Sequence, residues 1–200
     1  MNQNTVITIS RQYGSGGRIV AQKLAESLNI PFYDNELITM AAEKTGLSVE
    51  CFKDAEKTSI GNLFFSLTSL TPSLDSVGLP LNEKIFLVQS QVIKEVAAEG
   101  PCVIVGRSAN YVLQDNPNVI NVFLQADLPD RVQRAIDTYG QDADGAEAMV
   151  VKTDKRRANY YNYFTGGKWG KAENYDLILN TSRMDLDKIV EVIKAYVSLR

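Results

Sequence analysis

The feature that most constrains the fold of this chain is an alternation of short apolar runs with amphipathic stretches. Five runs rich in Val, Ile, Leu and Phe are predicted to form buried strands, namely Val6–Ile9, Ile30–Tyr33, Cys102–Val105, Val119–Leu124 and Leu177–Asn180. Continuous apolar character is typical of parallel strands that are covered on both faces. The alternation therefore predicts βαβ units wound into one α/β domain over residues 1–200.

The stretches between these runs carry apolar residues at helical spacing. Val20, Leu24 and Leu28 recur every four residues, which predicts a helix with one buried face. Gly100 is expected to end a later helix and Pro129 to open another. The predicted helices are Arg18–Leu28, Asn82–Ala98, Pro129–Tyr139 and Asp185–Leu199, with a shorter one through Leu37, Ile38 and Ala41.

The composition excludes several kinds of chemistry. The chain contains no histidine, which rules out Ser-His and Cys-His nucleophilic schemes and histidine-based metal sites. Catalysis must therefore use arginine, lysine, carboxylates, hydroxyls or backbone groups. The net charge of −3 creates no overall basic field, so no nucleic-acid partner is expected.

The same sequence favours a cytoplasmic protein. It has no run of about 18 apolar residues, so no membrane span or membrane partner is expected. The polar N-terminus leads directly into a predicted strand and carries no signal-peptide pattern. Cys51 and Cys102 lie far apart, and Cys102 begins an apolar run, so we expect a reduced core cysteine and no disulfide.

A glycine-rich segment, Gly14, Ser15, Gly16, Gly17 and Arg18, connects the first predicted strand to the first predicted helix. A strand, a glycine turn and a helix N-terminus together form an anion site, because free N–H groups and the helix dipole favour negative charge. Glycines let the backbone approach a phosphate closely, and an arginine binds two phosphate oxygens at once. These five residues are therefore predicted to bind the phosphates of a nucleotide. The alternative is a tight glycine turn without a ligand.

Several segments, in a fixed order, then give a specific resemblance. They read ITISRQYGSGGRIVAQKLAESLNIPFYDNELI, CVIVGRSANYVL, VFLQADLPDRVQRA and DKRRANYYNYFTGGKWGKAENYDLILNTS. The chain resembles the cytidylate-kinase-like family of bacterial P-loop proteins over nearly its whole length. The resemblance implies a P-loop kinase-like, three-layer αβα fold with a five-stranded parallel sheet, a helical insertion and a lid. It also implies phosphoryl transfer from ATP, with Mg²⁺, to a nucleoside monophosphate or a related small phosphate acceptor.

The loop departs from that of true cytidylate kinases at its end. Gly17 stands where their loop lysine stands, and Arg18 and Ile19 occupy the place of the Ser or Thr that holds magnesium. Because the backbone supplies much of the phosphate binding, we expect the loop to bind phosphate all the same. Arg18 is expected to take over part of the role of the lysine, and the magnesium ligands are left unassigned.

Phosphoryl transfer needs cations and in-line positioning around the transferring group. Ligands of open α/β sheets bind beyond the carboxyl ends of the strands, where Arg107 follows the third predicted strand. The segment Gly106-Arg107-Ser108 resembles the Gly-Arg-Asp segment that binds the acceptor in the true kinases, and Asn110 lies close by in sequence. The alternative for Arg107 is a surface or helix-capping arginine.

Asp34 follows the second predicted strand. It is a candidate for binding the sugar or base of the acceptor, and equally a candidate for the N-cap of the next helix. Arg131 and Arg134 are weaker candidates for the phosphate site. Trp169 and the tyrosines that precede it would either stack on a base or pack the lid against the body.

A lid is expected at about residues 150–172, with hinges at the glycines between 166 and 170. Asp154 and Arg157 are three residues apart, which resembles the lid of cytidylate kinases, and a helix puts both on one face. Arg156 and Arg157 are expected to neutralise phosphates on closure, and Asp154 and Arg157 to contact the acceptor. The alternative is a solvated helix face.

Residues 58–82 differ from the rest of the chain. They carry a single charge, Asp75, in 25 residues, together with Phe64, Phe65 and several leucines. Large apolar surfaces mark interfaces or ligand grooves. We expect this insertion either to cap the acceptor pocket or to pair with its copy in a twofold homodimer. The alternative is a helical hairpin packed on its own domain.

Three functional classes follow from these patterns. The first is a kinase that transfers a phosphoryl group from a nucleoside triphosphate to a small phosphate acceptor. The second is a nucleotide-binding regulatory protein with little turnover, which the missing lysine and the unassigned magnesium ligands favour. The third is a sulfuryl-transfer enzyme, which the lack of histidine makes the weakest of the three.

Overall fold

One parallel sheet organises the molecule in the computed structural model, which describes residues 5–52 and 79–200. Its strands are β1 (Val6–Arg11), β2 (Phe32–Tyr33), β3 (Cys102–Val105), β4 (Val119–Gln125) and β5 (Leu177–Asn180), in the spatial order β2-β3-β1-β4-β5. The central strand β1 pairs with β3 from Val6↔Cys102 onward and with β4 from Val6↔Val119 onward. The chain thus leaves β1 toward one edge and later returns to the other.

Helices cover both faces of this sheet. They are α1 (Gly17–Leu28), α2 (Glu36–Thr45), α3 (Leu81–Glu99), α4 (Ala109–Val112), α5 (Leu128–Asp137), α6 (Ala146–Thr165) and α7 (Leu186–Leu199), with a 3₁₀ turn at Ala172–Asn174. The chain is also helical over 49–52, where the first described range ends.

The side chains of β3 show how the three layers form. Cys102 and Ile104 enter one apolar core with α2 and α3, whereas Val103 and Val105 enter the other with α1 and α7. Successive residues of a strand point to opposite faces, so one apolar run serves both cores. The predicted P-loop kinase-like αβα architecture with five parallel strands is therefore confirmed.

The element boundaries differ from the predictions in informative places. Ile30 was predicted to begin the second strand, but its amide donates to the carbonyl oxygen of Ala25 and completes the end of α1 through the left-handed Asn29. Only Phe32 and Tyr33 pair with β3. The Leu177–Asn180 strand was predicted to be buried on both faces, but it lies at the edge of the sheet and is partly exposed.

The described residues also bear on the cysteines and on the insertion. Cys102 is buried and unbridged, and burial raises the pKa of its thiol to about 12, so it behaves as a core residue rather than a nucleophile. The predicted insertion, 58–82, lies outside the described residues except for 79–82, so its role as cap or dimer contact stays a prediction. In the described ranges, no helix combines the length and apolar character that crossing a bilayer requires.

Leu24 tests the contribution of α1 to the core. Its side chain is fully buried, whereas Gln22 on the same helix is exposed. We expect Leu24→Ala to lower the free energy of unfolding by about 2–5 kcal/mol, because it removes packed atoms and leaves a cavity. Gln22→Ala is expected to change it by about 0.5 kcal/mol or less. Urea unfolding of both variants measures the difference, and equal losses would contradict this role of α1.

Candidate active site

The candidate site lies where the sheet changes direction. The chain runs from β1 to β2 and β3 on one side and then to β4 on the other, so β1 and β3 flank the topological switch point where open α/β sheets bind ligands. Beyond the carboxyl ends of these two strands lies a cavity of about 440 Å³.

The cavity is strongly basic. Its lining contains five arginines and a single carboxylate, Asp34. The lining residues are Ser10, Arg11, Arg18, Asp34, Asn35, Ile38, Val105, Gly106, Arg107, Ser108, Arg156, Arg157, Tyr160, Tyr161 and Trp169. Such an excess of guanidinium groups in one concave site, on a chain of net charge −3, favours an anionic ligand with several oxygens.

The structure brings together part of the predicted site. Arg18, Arg107, Arg156 and Arg157 line the cavity with Asp34, whereas Asn110 and Asp154 do not line it. Sequence reasoning missed Arg11, which sits at the end of β1 and lines the same cavity.

Asp34 contacts three of the arginines that line the cavity. Its buried carboxylate accepts from Arg18 Nε at 2.7 Å and lies 3.7 Å from Arg11 Nη2, and its carbonyl oxygen accepts from Arg107 Nε at 3.4 Å. The alternative role of Asp34 as N-cap is wrong, because Asn35 occupies the N-cap position of α2. The Asp34 amide instead donates to the Glu36 carboxylate at 3.0 Å.

The turn after β3 presents Arg107 in an unusual backbone conformation. Gly106, Arg107 and Ser108 have φ values of 76°, 54° and 54°, a left-handed region that is costly for residues with a Cβ. Arg107 is half-buried, and desolvation at this position lowers its pKa to about 10. The backbone strain and the desolvated charge both fit a residue held in place for a ligand.

Two buried polar atoms at this turn lack a partner within the part of the chain that the structure describes. There, neither the Ser108 hydroxyl oxygen nor the Asn110 side-chain oxygen has a hydrogen-bond partner. The Asn110 amide nitrogen donates to the Tyr161 hydroxyl at 3.1 Å. Because an unsatisfied buried polar atom costs about 1–3 kcal/mol, both atoms fit a site that gains hydrogen bonds when a ligand binds.

Asp154 ties α6 to the rest of the site. Its carboxylate accepts from the Tyr13 amide at 2.7 Å, forms an ion pair with the buried Arg131 and lies 3.9 Å from Arg157 Nη1. The predicted face shared by Asp154 and Arg157 is therefore present. This face is directed at the body of the protein, since Arg157 Nη1 also donates to the Arg11 carbonyl oxygen at 2.9 Å.

The electrostatic environment of Arg157 is dominated by burial and by other cations. Burial, followed by the neighbouring Arg11, lowers the pKa of Arg157 to about 9, although Asp154 opposes this shift. Its guanidinium carbon also lies 5.6 Å from the centre of the Tyr13 ring. A buried cation next to another cation gains from a nearby anion.

The glycine loop packs tightly against its neighbours. Gly14 and Gly16 have φ values of 79° and 77°, which glycine adopts without strain. A Cβ at Gly14 would lie 2.8 Å from the Arg131 carbonyl carbon, and one at Gly16 would lie 2.9 Å from Leu186 Cδ1. Arg134 Nη1 donates to the Gly14 carbonyl oxygen at 2.6 Å. Arg131 and Arg134 therefore contact the loop itself and do not line the cavity.

The arrangement separates two parts of the predicted phosphate loop. Gly14–Gly17 are buried and do not line the 440 Å³ cavity, whereas Arg18 does. Thr181 Oγ1 donates to the Ser15 carbonyl oxygen at 2.7 Å, so the loop is held from the β5 side as well. The binding of phosphate by the glycine backbone stays a prediction.

Solved structures share this architecture. A shikimate kinase from Bacteroides thetaiotaomicron has 16% sequence identity and a TM-score of 0.57, covering 97% of this chain and 98% of that one; at this identity the likeness shows the fold alone. A crystal structure of an uncharacterised protein from Eubacterium ventriosum has 30% identity and a TM-score of 0.74, covering 98% and 99%.

The sequence comparisons define the family. The model of the cytidylate kinase-like family matches residues 6–183, and the chain belongs to this family. A cytidylate kinase of Saccharolobus islandicus is 25% identical over 195 residues, which cover 97% of this chain and 91% of the relative. A cytidylate kinase of Methanopyrus kandleri is 25% identical over 201 residues, covering 96% and 92%. The resemblance found in the sequence is thus confirmed.

Asp154 offers a test of how α6 is held to the glycine loop. We expect Asp154→Asn to lower the free energy of unfolding by about 2 kcal/mol, because it removes the charged acceptor of the Tyr13 amide and the partner of a buried arginine. Asp115 is exposed, and Asp115→Asn is the matched control. Denaturant unfolding of both variants measures the effect, and equal stability would show that the Asp154 contacts do not hold the loop.

Proposed function

We propose that this chain is a kinase that transfers a phosphoryl group from ATP to a nucleoside monophosphate or a related small phosphate acceptor. The observation that carries the proposal is the convergence of five arginines on one cavity at the carboxyl ends of β1 and β3. Membership of the cytidylate kinase-like family supports the same reaction class.

In this proposal the position of each arginine determines whether it binds the donor or the acceptor. Arg18, at the start of α1, and Arg156 and Arg157, on α6, neutralise the phosphates of ATP. The loop from Gly14 to Gly17 contributes backbone N–H groups and the positive end of the helix dipole. Backbone N–H groups are fixed before the ligand binds, and such preorganised donors stabilise the charge of the transferring group without moving at the moment of reaction.

The acceptor would bind at the end of the cavity formed by the turn after β3. Arg107 binds its phosphate, and Asp34, Asn110, Asp154 and Arg157 form or support its pocket. Ser108 lines the cavity, and its hydroxyl oxygen, which has no partner among the described residues, fits a hydroxyl or amino group of a sugar or base; Asn110 would support the pocket from outside the lining. Ser108 stands at the position where the true kinases carry an aspartate in the similar segment. Recognition of the base would therefore use a neutral hydroxyl here in place of a carboxylate.

The donor set does not fit a resident magnesium ion. Mg²⁺ is usually held by one or two carboxylates together with substrate phosphates, and Asp34, the only carboxylate among the described lining residues, is already paired with Arg11 and Arg18. Among the described residues, no group of three or more Asp, Glu, Cys or His side chains is placed to hold a metal. The proposal therefore assigns the protein's positive charge to arginines and no step to a bound metal.

One observation favours a second candidate function. Position 17 lacks the lysine and position 18 lacks the hydroxyl of the general phosphate loop, which fits a regulatory protein that binds nucleotide with little turnover.

An assay of ADP release separates the kinase from the regulatory protein. The protein is incubated with ATP, Mg²⁺ and a panel of ribo- and deoxyribonucleoside monophosphates. ADP release above that with ATP alone supports the kinase. ATP binding without such release supports the regulatory protein, and no ATP binding contradicts both.

Arg156 tests the role of α6 in binding the donor. It lines the cavity, whereas the adjacent and exposed Lys155 does not. We expect Arg156→Ala to weaken ATP binding about tenfold, the loss typical of one charge-assisted hydrogen bond. Lys155→Ala removes the same unit of charge from the same helix and is expected to leave the affinity unchanged. Isothermal titration of both variants decides, and equal effects would indicate only a long-range contribution of net charge.

A further inference from the structure

Three fixed positions of the general phosphate loop, 11, 17 and 18, are altered in this chain, and the changes at 11 and 17 concern the same space in the structure. The general phosphate loop reads G-x-x-x-x-G-K-[ST], in which the lysine reaches the terminal phosphates. Placed on residues 11–18 of this chain, which read RQYGSGGR, the pattern finds Arg11 in place of its first glycine and Gly17 in place of its lysine. An arginine is gained six residues before the position where a lysine is missing.

The structure shows that side chains at these two positions compete for the same space. A Cβ on Gly17 would lie 2.5 Å from Arg11 Cβ and 2.9 Å from Arg11 Cγ. Real Cβ atoms do not approach other atoms so closely, and neither Arg11 atom is the far end of a flexible chain. Gly17 has an ordinary helical backbone with no positive φ, so the contact with Arg11, and not the backbone, requires glycine there.

The far end of Arg11 lies among the groups that line the cavity. A Cβ on Gly106 would overlap Arg11 Nη1 and lie 3.1 Å from Arg11 Cζ. The guanidinium thus passes over the turn that precedes Arg107. Two glycines, one at each end, make room for this side chain. Burial lowers the pKa of Arg11, and Arg18 adds to this shift while Asp34 opposes it.

The contact with Asp34 does not account for Arg11. Arg11 Nη2 is 3.7 Å from the Asp34 carboxylate, whereas Arg18 Nε donates to it at 2.7 Å. Asp34 therefore has a closer cationic partner. A guanidinium carries five N–H donors, and the one long ion pair that Arg11 forms with the described residues leaves most of these donors for oxygens in the cavity.

We propose that Arg11 is a second phosphate-binding cation of this loop, beside Arg18, and that Arg11 and Gly17 are a reciprocal exchange for the glycine and lysine of the general pattern. The cation enters from the end of β1 instead of the start of α1. Its ligand is the pyrophosphate unit of the nucleotide. The identity of the nucleotide rests on the proposed function, but the anion-binding role of Arg11 does not.

The exchange is tested by swapping the two positions. Four proteins are compared: the wild type, Arg11→Met, Gly17→Lys and the double variant Arg11→Gly with Gly17→Lys. Arg11→Met keeps an unbranched stem beside Gly17 and removes only the charge. Each protein is titrated calorimetrically with inorganic pyrophosphate and, separately, with ATP, and its thermal midpoint is measured to confirm folding.

We expect Arg11→Met to weaken pyrophosphate binding about 10- to 100-fold, as for the loss of a charged bidentate donor. Gly17→Lys alone is expected to lower the thermal midpoint without tightening binding, because its side chain meets Arg11. The double variant removes that clash and restores a cation, so it is expected to bind pyrophosphate more tightly than Arg11→Met and to melt above Gly17→Lys.

Three results would overturn the inference. They are wild-type affinity in Arg11→Met, a double variant that binds as weakly as Arg11→Met, and a wild type that binds no pyrophosphate. If the wild type binds pyrophosphate but not ATP, the proposed function fails, while the pyrophosphate series still decides the role of Arg11.

Discussion

The site depends on two opposing electrostatic interactions. Its closely spaced arginines repel one another, and neighbouring carboxylates attract them and hold them together. Burial is the largest cause that lowers the pKa of each of Arg11, Arg107 and Arg157. Two like charges 4 Å apart repel by about 4 kcal/mol at an effective dielectric constant of 20. Asp34 beside β2 and Asp154 on α6 supply the opposing charge. Arginines outnumber these carboxylates in the cavity lining, an excess of positive charge that fits the proposed anionic ligand.

The close packing of the loop follows from the same cluster. Gly14 lies against the backbone of Arg131, and Gly17 and Gly106 lie against the side chain of Arg11. These glycines serve contacts between protein groups, in addition to any contact with phosphate. The loss of the lysine at position 17 is therefore not an isolated change. It is coupled to the arginine at position 11 through a shared volume.

The fold could be predicted from the sequence because its signals are local. Apolar runs, helical spacing and the glycine turn lie within short windows, and each window is sufficient to place one element. The cluster of arginines was predicted only in part, through the position of Arg107 after a strand and through the resemblance of the lid. Arg11 was missed because its significance depends on Gly106, which is distant in sequence and adjacent only across the β1–β3 pair.

The arginines of the site fall into two groups, one held by contacts within the protein and one exposed to solvent. The two groups would contribute differently to ligand binding. Arg107 and Arg157 donate to backbone carbonyl oxygens, and the Arg11 side chain packs against Gly17 and Gly106, so part of their conformational entropy is already lost when the protein folds. The side chain of Arg18 is 54% exposed, and Arg156 is exposed on α6. Donors that are fixed in advance add most to transition-state stabilisation, whereas exposed ones order when ligand arrives and lose side-chain entropy then. In the proposed reaction, the partly buried arginines therefore fit a role at the transferring phosphate, and Arg18 and Arg156 fit the capture and release of ligand.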